Sequence, residues 1–179
     1  MSTRIIYRAA DRPHRSISEA LETLAVAEVL SPGRRFMAVS PWITDFPIVD
    51  NRNGAMSVLD RSWPAGRIPF SFFLRTLLRK GVNVSVACGN DALAVEFLNR
   101  VRASARQDGT DDRLRTKVSG ANDPRLLEHG KALVADSWAV HGSMNLTFRG
   151  VEVNGELVTV TNEPDQVGLL AIALGELFR

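Results

Sequence analysis

Short apolar segments typical of buried strands alternate along this chain with longer segments of helical periodicity. A strand followed by a helix and a further strand builds a sheet with helices packed on it, so this alternation is the strongest constraint on the fold. It predicts an α/β sandwich with a mixed central sheet flanked by helices. The 179 residues suffice for one such unit, and no repeat or linker divides them. We therefore expect a single domain over residues 1–179.

Capping residues and helix breakers set the expected boundaries. Ser16 with Glu19 predicts a capping box at the start of the first helix, and Asp91 is the expected N-cap of a later one. Gly81 should close the helix before it, and Pro164 should open the last. The predicted strands are "RRFMAVS", "VNVSVAC", "RLRTKVSG", "GKALVAD", "WAVHGS" and "EVNGELVTVTN", and "PWITDFPIVDNRNG" is predicted as a loop.

Composition excludes several classes of protein. The single cysteine, Cys88, rules out an intrachain disulfide and a multi-cysteine metal site, and its apolar surroundings indicate a buried, inert thiol. The N-terminus lacks the apolar core of a signal peptide, and no apolar run approaches the ~20 residues of a membrane span. We therefore expect a cytoplasmic protein without a membrane contact. A net charge of +2 is compatible with a polyanionic partner without requiring one.

Phosphate-binding side chains occupy the strand pair predicted within "EHGKALVADSWAVHGSMN", residues 128–145. His129 and Lys131 lie two residues apart, so on a strand their side chains share one face. An imidazole can attack phosphorus or donate a proton, and an ammonium supplies positive charge and hydrogen-bond donors. Ser143 and Asn145 add a hydroxyl and an amide that can donate to phosphate oxygens.

Four further residues complete the pattern around these side chains. Asp136 ends the first strand, where a carboxylate commonly caps a turn. Gly142 allows a backbone conformation or a close approach that a Cβ would obstruct. Asn154 and Glu156 lie two residues apart on a predicted strand, and Glu156 could accept from the second ring nitrogen of His129 and fix its tautomer.

The order and spacing of these residues resemble the HKD signature of the phospholipase D superfamily. The matching elements are His129-x-Lys131, Asp136, Gly142-Ser143-x-Asn145 and the Asn154-x-Glu156 of "GVEVNGE". The resemblance implies a phospholipase D-like α/β sandwich over nearly the whole chain. It also implies a metal-independent phosphodiesterase that needs no cofactor.

The resemblance assigns a role to each position of the signature. His129 resembles the nucleophile that forms a phosphohistidine intermediate, and Glu156 resembles the residue that orients it. Lys131 and Asn145 would bind the non-bridging oxygens with the help of Ser143. Asp136 is expected to be structural, like Gly142 and Asn154 of the motif.

Members of the superfamily with two motifs use one histidine to attack and the other to protonate the leaving group. This chain carries one motif, because neither His14 nor His141 is followed by a lysine two residues on. A single-motif chain can complete the site only by pairing with itself about a two-fold axis. We therefore expect an obligate homodimer that brings the two copies of His129 together.

"RPHRSI" and "VSPWITDFPIVDNRNG" carry a second resemblance, to the phospholipase D-like proteins of bacterial 7-deazaguanine DNA modification and restriction systems. It favours DNA as the substrate, a role in DNA modification or defence, and other proteins of such a system as partners. Trp42 in this stretch could stack on a base or line the mouth of the site, and core packing is the alternative.

Several other interpretations stay open. His129 and Lys131 could be an ordinary strand pair on a solvated face, and Ser143 and Asn145 could serve only the turn. The motif could belong to an inactive protein, such as a DNA-binding or complex-assembly subunit that keeps the phosphate pocket, and phospholipid hydrolysis is a third function. A set of basic residues could form a nucleic-acid groove or a solvated helix face: Arg100, Arg102, Arg106, Arg113, Arg115 and Lys117.

Overall fold

A seven-stranded mixed sheet forms the centre of the protein in a computed structural model that describes residues 2–11, 14–119 and 130–179. Its strands lie in the order β1-β9-β8-β7-β2-β5-β6. The strands of this sheet are β1 Thr3–Arg8, β2 Arg35–Ser40, β5 Asn83–Gly89, β6 Leu114–Ser119, β7 Ala132–Val134, β8 Ala139–Gly142 and β9 Glu156–Thr161. A separate two-stranded hairpin contains β3 Pro47–Asn51 and β4 Gly66–Pro69.

The sheet has a parallel part and an antiparallel part that meet at β2. Strands β2, β5 and β6 run parallel, whereas β7, β8, β9 and β1 each run antiparallel to the preceding neighbour in the sheet. The carboxyl ends of β2 and β5 therefore lie at the same sheet edge as the start of β7, the end of β8 and the start of β9. This arrangement confirms the predicted mixed sheet.

Helices cover both faces of the sheet. Helices α1 (Ser16–Leu30), α2 (Phe70–Arg79) and α3 (Ala92–Asp108) bury one face in the larger core, in which the Phe36 ring meets the edges of neighbouring rings. Helix α4 (Pro164–Gly175) covers the centre of the other face, where Val167, Ala171 and Leu174 pack with residues of β2, β7 and β8. This is the expected α/β sandwich.

The sequence missed three strands. Strand β1 pairs with β9 at one side of the sheet, although its sequence TRIIYR lacks an alternation of apolar and polar residues. The hairpin of β3 and β4 lies partly within the predicted loop, with Pro47 and Pro69 facing each other at the strand ends. Proline lacks the N–H that an interior ladder position needs, so it is tolerated mainly at strand ends and on edge strands.

Three of the four predicted helix boundaries are confirmed. The Asp91 carboxylate accepts from the amides of Leu93 and Ala94 at 3.1 Å, Gly81 adopts a φ of +89° after α2, and Pro164 begins α4. The predicted capping box is wrong, because Arg15 occupies the N-cap position of α1. Ser16 already has helical conformation, and its hydroxyl lies 2.7 Å from Nδ1 of His14 instead.

Cys88 is buried near the end of β5, as the sequence predicted. Burial, together with the nearby Asp91 carboxylate, raises the pKa of the Cys88 thiol to about 11. The thiol is therefore neutral at physiological pH and a poor nucleophile.

In the described parts of the chain, each helix is too short or too polar to cross a lipid bilayer.

Replacing Asp91 with alanine should lower the free energy of unfolding by about 1 kcal/mol, because two amides of the first turn of α3 lose their acceptor. Asp91→Asn keeps a side-chain oxygen at the cap and should lose less. Urea unfolding followed by circular dichroism measures both changes. Equal stability of the alanine variant and the unmodified protein would contradict this role for Asp91.

Candidate active site

Three residues of the predicted signature lie at one edge of the sheet. Lys131 directly precedes β7, Ser143 directly follows β8 and Glu156 begins β9. The pairs Ala132–His141 and Gly142–Val158 fix the register that brings these ends together. The sequence places the three residues up to 25 positions apart, and the antiparallel ladders bring them together.

His129, the proposed nucleophile, lies outside the described residues. Its contact with Glu156 therefore stays a prediction.

Lys131 is half-buried, and its carbonyl accepts from the amide of Gly142 at 3.3 Å. This bond continues the β7–β8 ladder by one residue toward the site.

Gly142 makes the close approach that the sequence predicted. Its φ is +151°, and a Cβ at this position would collide with the carbonyl oxygen of Leu157. The next residue uses that proximity, because the Ser143 amide donates to the Leu157 carbonyl at 3.0 Å and the Leu157 amide donates back to Ser143 Oγ at 3.0 Å. Only glycine is readily accommodated at position 142.

Ser143 and Glu156 form the polar centre of this edge. The Ser143 hydroxyl donates to Oε2 of Glu156, whose residue is only 6% exposed. Because Ser143 Oγ also accepts from the Leu157 amide, its one proton is directed at the carboxylate. The carboxylate is thereby held in one orientation at the start of β9.

Asn145 is connected to the end of β2 through Ser40, a residue that the sequence did not single out. Ser40 Oγ lies 3.3 Å from Oδ1 of Asn145 and 2.7 Å from the Trp42 carbonyl oxygen, and it accepts from the Leu146 amide at 3.2 Å. These contacts place the Asn145 side chain beside the end of β2.

Arg8 at the end of β1 is fully buried and holds the backbone that leads into Glu156. Its Nε donates to the Asn154 carbonyl at 2.8 Å, Nη2 to the Gly150 carbonyl at 2.6 Å and Nη1 to the Val151 carbonyl. Arg8 is also the register partner of Glu156 across the β1–β9 ladder. One guanidinium therefore fixes three carbonyls of a single turn.

The charges around Arg8 oppose the cost of burying it. Burial lowers the pKa of the Arg8 guanidinium, while the carboxylates of Glu156 and Glu152 raise it. A buried cation is tolerated when it is hydrogen-bonded and paired with opposite charge. Both conditions are met at Arg8.

The prediction that Asn154 lies on a strand is wrong. Arg149–Val153 form one π-helical turn, and β9 begins only at Glu156. Two contacts explain the turn. Arg8 donates hydrogen bonds to its carbonyls, and Gly150 approaches the Asn145 carbonyl so closely that a Cβ would collide with it. Asn154 contributes its backbone carbonyl to this arrangement.

Asp136 lies away from the site, at the opposite edge of the sheet. Its Oδ2 accepts from the Arg34 amide at 2.6 Å, and its Oδ1 lies 3.0 Å from Nε of Arg35. These contacts tie the turn after β7 to the start of β2. The placement agrees with a structural role.

Trp42 is 57% exposed on the loop that follows β2, so core packing does not account for it. His14 is exposed near the start of α1, and His141 is half-exposed on β8, opposite Thr159. Within residues 2–11, 14–119 and 130–179, no three His, Cys, Asp or Glu residues are grouped so that they could hold a metal ion.

A family model described as "Cardiolipin synthase, PLD-like domain" matches residues 72–174. The chain therefore belongs to the phospholipase D-like domain family, as the HKD signature indicated. A comparison with curated protein sequences gives no significant match.

Solved structures share the fold at low sequence identity. Nuc from Salmonella typhimurium, a phospholipase D family member, gives a TM-score of 0.56 at 14% identity over 98% of this chain and 93% of that chain. NucT from Helicobacter pylori gives 0.53 at 12% identity over 98% and 96%. TrmBL2, an archaeal chromatin protein with a novel mode of DNA binding, gives 0.51 at 13% identity over 98% of this chain and 51% of that chain.

Substituting Arg8 by methionine should lower the free energy of unfolding by roughly 3 kcal/mol or more, because two buried carbonyls and one partly buried carbonyl lose their donor and Glu156 loses a nearby positive charge. Arg8→Lys keeps the charge without the planar set of donors, so its free energy of unfolding should lie between those of the unmodified protein and Arg8→Met. Urea unfolding measures both.

Arg4→Met is the matched control, since Arg4 lies on the same strand and is exposed. An Arg8→Met variant no less stable than Arg4→Met would show that the buried guanidinium does not hold this region.

Proposed function

We propose that this protein is a metal-independent phosphodiesterase that cleaves nucleic acid, with DNA as the substrate, through a phosphohistidine intermediate. The observation that carries the proposal is the convergence of Lys131, Ser143 and Glu156 at one sheet edge, in a chain of the phospholipase D-like family. This edge combines a cation, hydrogen-bond donors and an oriented carboxylate directly beside the segment that carries His129.

In the first step, a ring nitrogen of His129 attacks phosphorus while the bond from phosphorus to the leaving oxygen breaks. Lys131 and Asn145 stabilise the charge that develops on the non-bridging oxygens, which is the largest contribution that such a site can make. His129 of the partner subunit donates a proton to the leaving oxygen. Water then attacks the phosphohistidine, gives its proton to the same partner imidazole and releases His129.

Glu156 is assigned the task of accepting from the second ring nitrogen of His129, which would fix its tautomer and stabilise the imidazolium. The bond from Ser143 to Oε2 supports this role, because it orients the carboxylate before substrate arrives. Ser143 thus assists the reaction by holding Glu156, because its one proton is directed at that carboxylate.

A homodimer is part of the proposal because one chain supplies one motif. Exposed apolar side chains next to the site support it: Ile5, Tyr7 and Leu157 are 68%, 66% and 53% exposed. In the β1–β9 register all three lie on the sheet face that α4 covers farther along. An apolar surface of this kind is typical of a protein–protein contact.

DNA is preferred over other phosphodiesters for two reasons. The motifs near the N-terminus resemble proteins of DNA modification and restriction systems, and exposed Trp42 beside the site can stack on a base. A function in DNA modification or defence, in the cytoplasm and with further proteins of such a system, is the context that we propose.

A non-catalytic DNA-binding subunit is the second candidate. The shared fold of TrmBL2, a DNA-binding chromatin protein, favours it, as the same edge could hold a phosphate without cleaving it. Phospholipid hydrolysis is the third candidate, suggested by the description of the matching family. Assays on labelled DNA and on phospholipid vesicles, each in EDTA, separate the three.

Replacing His129 with asparagine should lower the cleavage rate of DNA in EDTA about a thousandfold or more, because no other group in the proposal replaces the nucleophile. DNA binding, measured by fluorescence anisotropy, should be largely retained. His14→Asn is the matched control and should cleave at the normal rate.

Full activity of the His129→Asn variant would refute the catalytic assignment. DNA binding by the unmodified protein without cleavage would favour the binding subunit, and hydrolysis of vesicles without DNA cleavage would favour the lipid enzyme.

A further inference from the structure

A groove of about 410 Å³ lies on the sheet face that carries α4, at the sheet edge opposite the candidate active site. Arg35, Arg113 and Arg115 line it, together with one acidic residue, Asp112. Arg35 begins β2, and the site lies beyond Ser40 at the other end of this strand, roughly 17 Å away at the rise of an extended chain. The groove is therefore separate from the HKD edge.

The polarity of this groove follows from where α4 packs. On β2 the face is apolar, and Met37 contacts the core beneath Ala171 and Leu174. Ser85 pairs with Met37 on one side and with Arg115 on the other, so all three side chains point to this face. From Met37 toward β6 the same face is therefore polar, since Ser85 and Arg115 carry side chains that can donate hydrogen bonds.

The arginines of the groove differ from the neighbouring basic residues in their contacts. Arg100 lies 3.0 Å from Asp45 and 3.1 Å from Glu96, and Arg102 donates to Thr116. In the groove, by contrast, Arg113 is 3.9 Å from the exposed carboxylate of Asp112, at the limit of an ion pair. Arg115 is exposed on the edge strand β6.

Arg35 is partly neutralised, since its Nε lies 3.0 Å from Asp136. The contact still fixes the side chain at the rim of the groove. Three guanidinium groups against one lining carboxylate give a net positive site, and guanidinium groups bind phosphate through paired donors. Phe178 lines the groove beside them and adds an apolar wall.

We propose that this groove is a second binding site for the phosphates of a nucleic-acid strand whose scissile bond lies in the active site. The inference rests on the proposed function, because it assumes a polymeric substrate. Edge strand β6 runs from the groove toward the sheet edge of the active site. Arg115 and Lys117 lie two residues apart on it, so their side chains share one face, and the strand ends beside Gly89 of β5. Along β2 the two places are roughly 17 Å apart, and Arg113 and Arg115 lie two strands, or about 10 Å, farther to the side. Only a strand of several nucleotides can therefore reach both. Short substrates fill only the active site, whereas longer strands also occupy the groove.

The test replaces Arg113 and Arg115 by glutamine together. Arg61→Gln with Arg67→Gln is the matched control, because it removes the same charge from two exposed positions outside the groove. Binding of a labelled single-stranded oligonucleotide of about a dozen nucleotides is measured against salt concentration, in the His129→Asn background so that nothing is cleaved. Losing two phosphate contacts should reduce the slope of log K against log salt by about 1.4.

Cleavage of a small diester, bis(4-nitrophenyl) phosphate, is measured with His129 intact and should be the same in the groove variant and the control. Equal salt slopes in the two double variants would overturn the inference. An equal loss of activity on the small diester and on the oligonucleotide would overturn it too, since the arginines would then act on the active site. If the unmodified protein cleaves neither substrate, but the Arg113/Arg115 variant still has a smaller salt slope than the control, the groove is supported and the proposed catalytic function is contradicted.

Discussion

The buried guanidinium of Arg8 is the interaction on which the candidate site depends. It joins the end of the first strand to three carbonyls of the turn that precedes β9. The carbonyls of Gly150 and Val151 would otherwise be buried without this donor, at a cost of about 1–3 kcal/mol each. Because the turn is held in this way, β9 begins at Glu156 and the carboxylate reaches Ser143.

The site is assembled from strand ends rather than from one rigid loop. Ladders between β7, β8 and β9 determine how close Lys131, Ser143 and Glu156 come, and the β2 end contributes Ser40. The two glycines are required for this closeness: Gly142 lies against the Leu157 carbonyl and Gly150 against that of Asn145. Side chains on packed strands are held more precisely than side chains on loops.

Helix α4 divides the second face of the sheet into two surfaces of different character. On the side of β1 and β9 lie the exposed apolar residues Ile5, Tyr7 and Leu157, and on the side of β5 and β6 lies the arginine groove. An apolar surface suits a second copy of the chain, and a cationic groove suits a polyanion. With both assignments, the partner subunit contacts the side of β1 and β9, and a long substrate runs from the HKD edge to the groove on the side of β5 and β6.

Much of the fold could be predicted because its signals are local. The apolar runs of β2 and β5 and the cap at Asp91 need no knowledge of distant residues. The Asn154 region was predicted wrongly because its turn depends on Arg8, more than 140 positions earlier in the chain. The hairpin was missed because prolines at strand ends resemble loop residues.

The site could be predicted in its residue types and spacing, since the signature is a local pattern. Ser40 and Arg8 could not be found in this way, because each acts through a contact with a distant segment. A clue to Arg8 was present in the arginine at the end of an otherwise strand-like "RIIYR".

A heterodimer of one unmodified subunit and one His129→Asn subunit, purified through two different affinity tags, tests most directly whether one site is shared by two chains. If attack and leaving-group protonation come from opposite subunits, DNA cleavage in EDTA falls to a small fraction of the rate of the unmodified protein. Retention of about half that rate would mean that each chain carries a complete and independent site, and it would contradict the account.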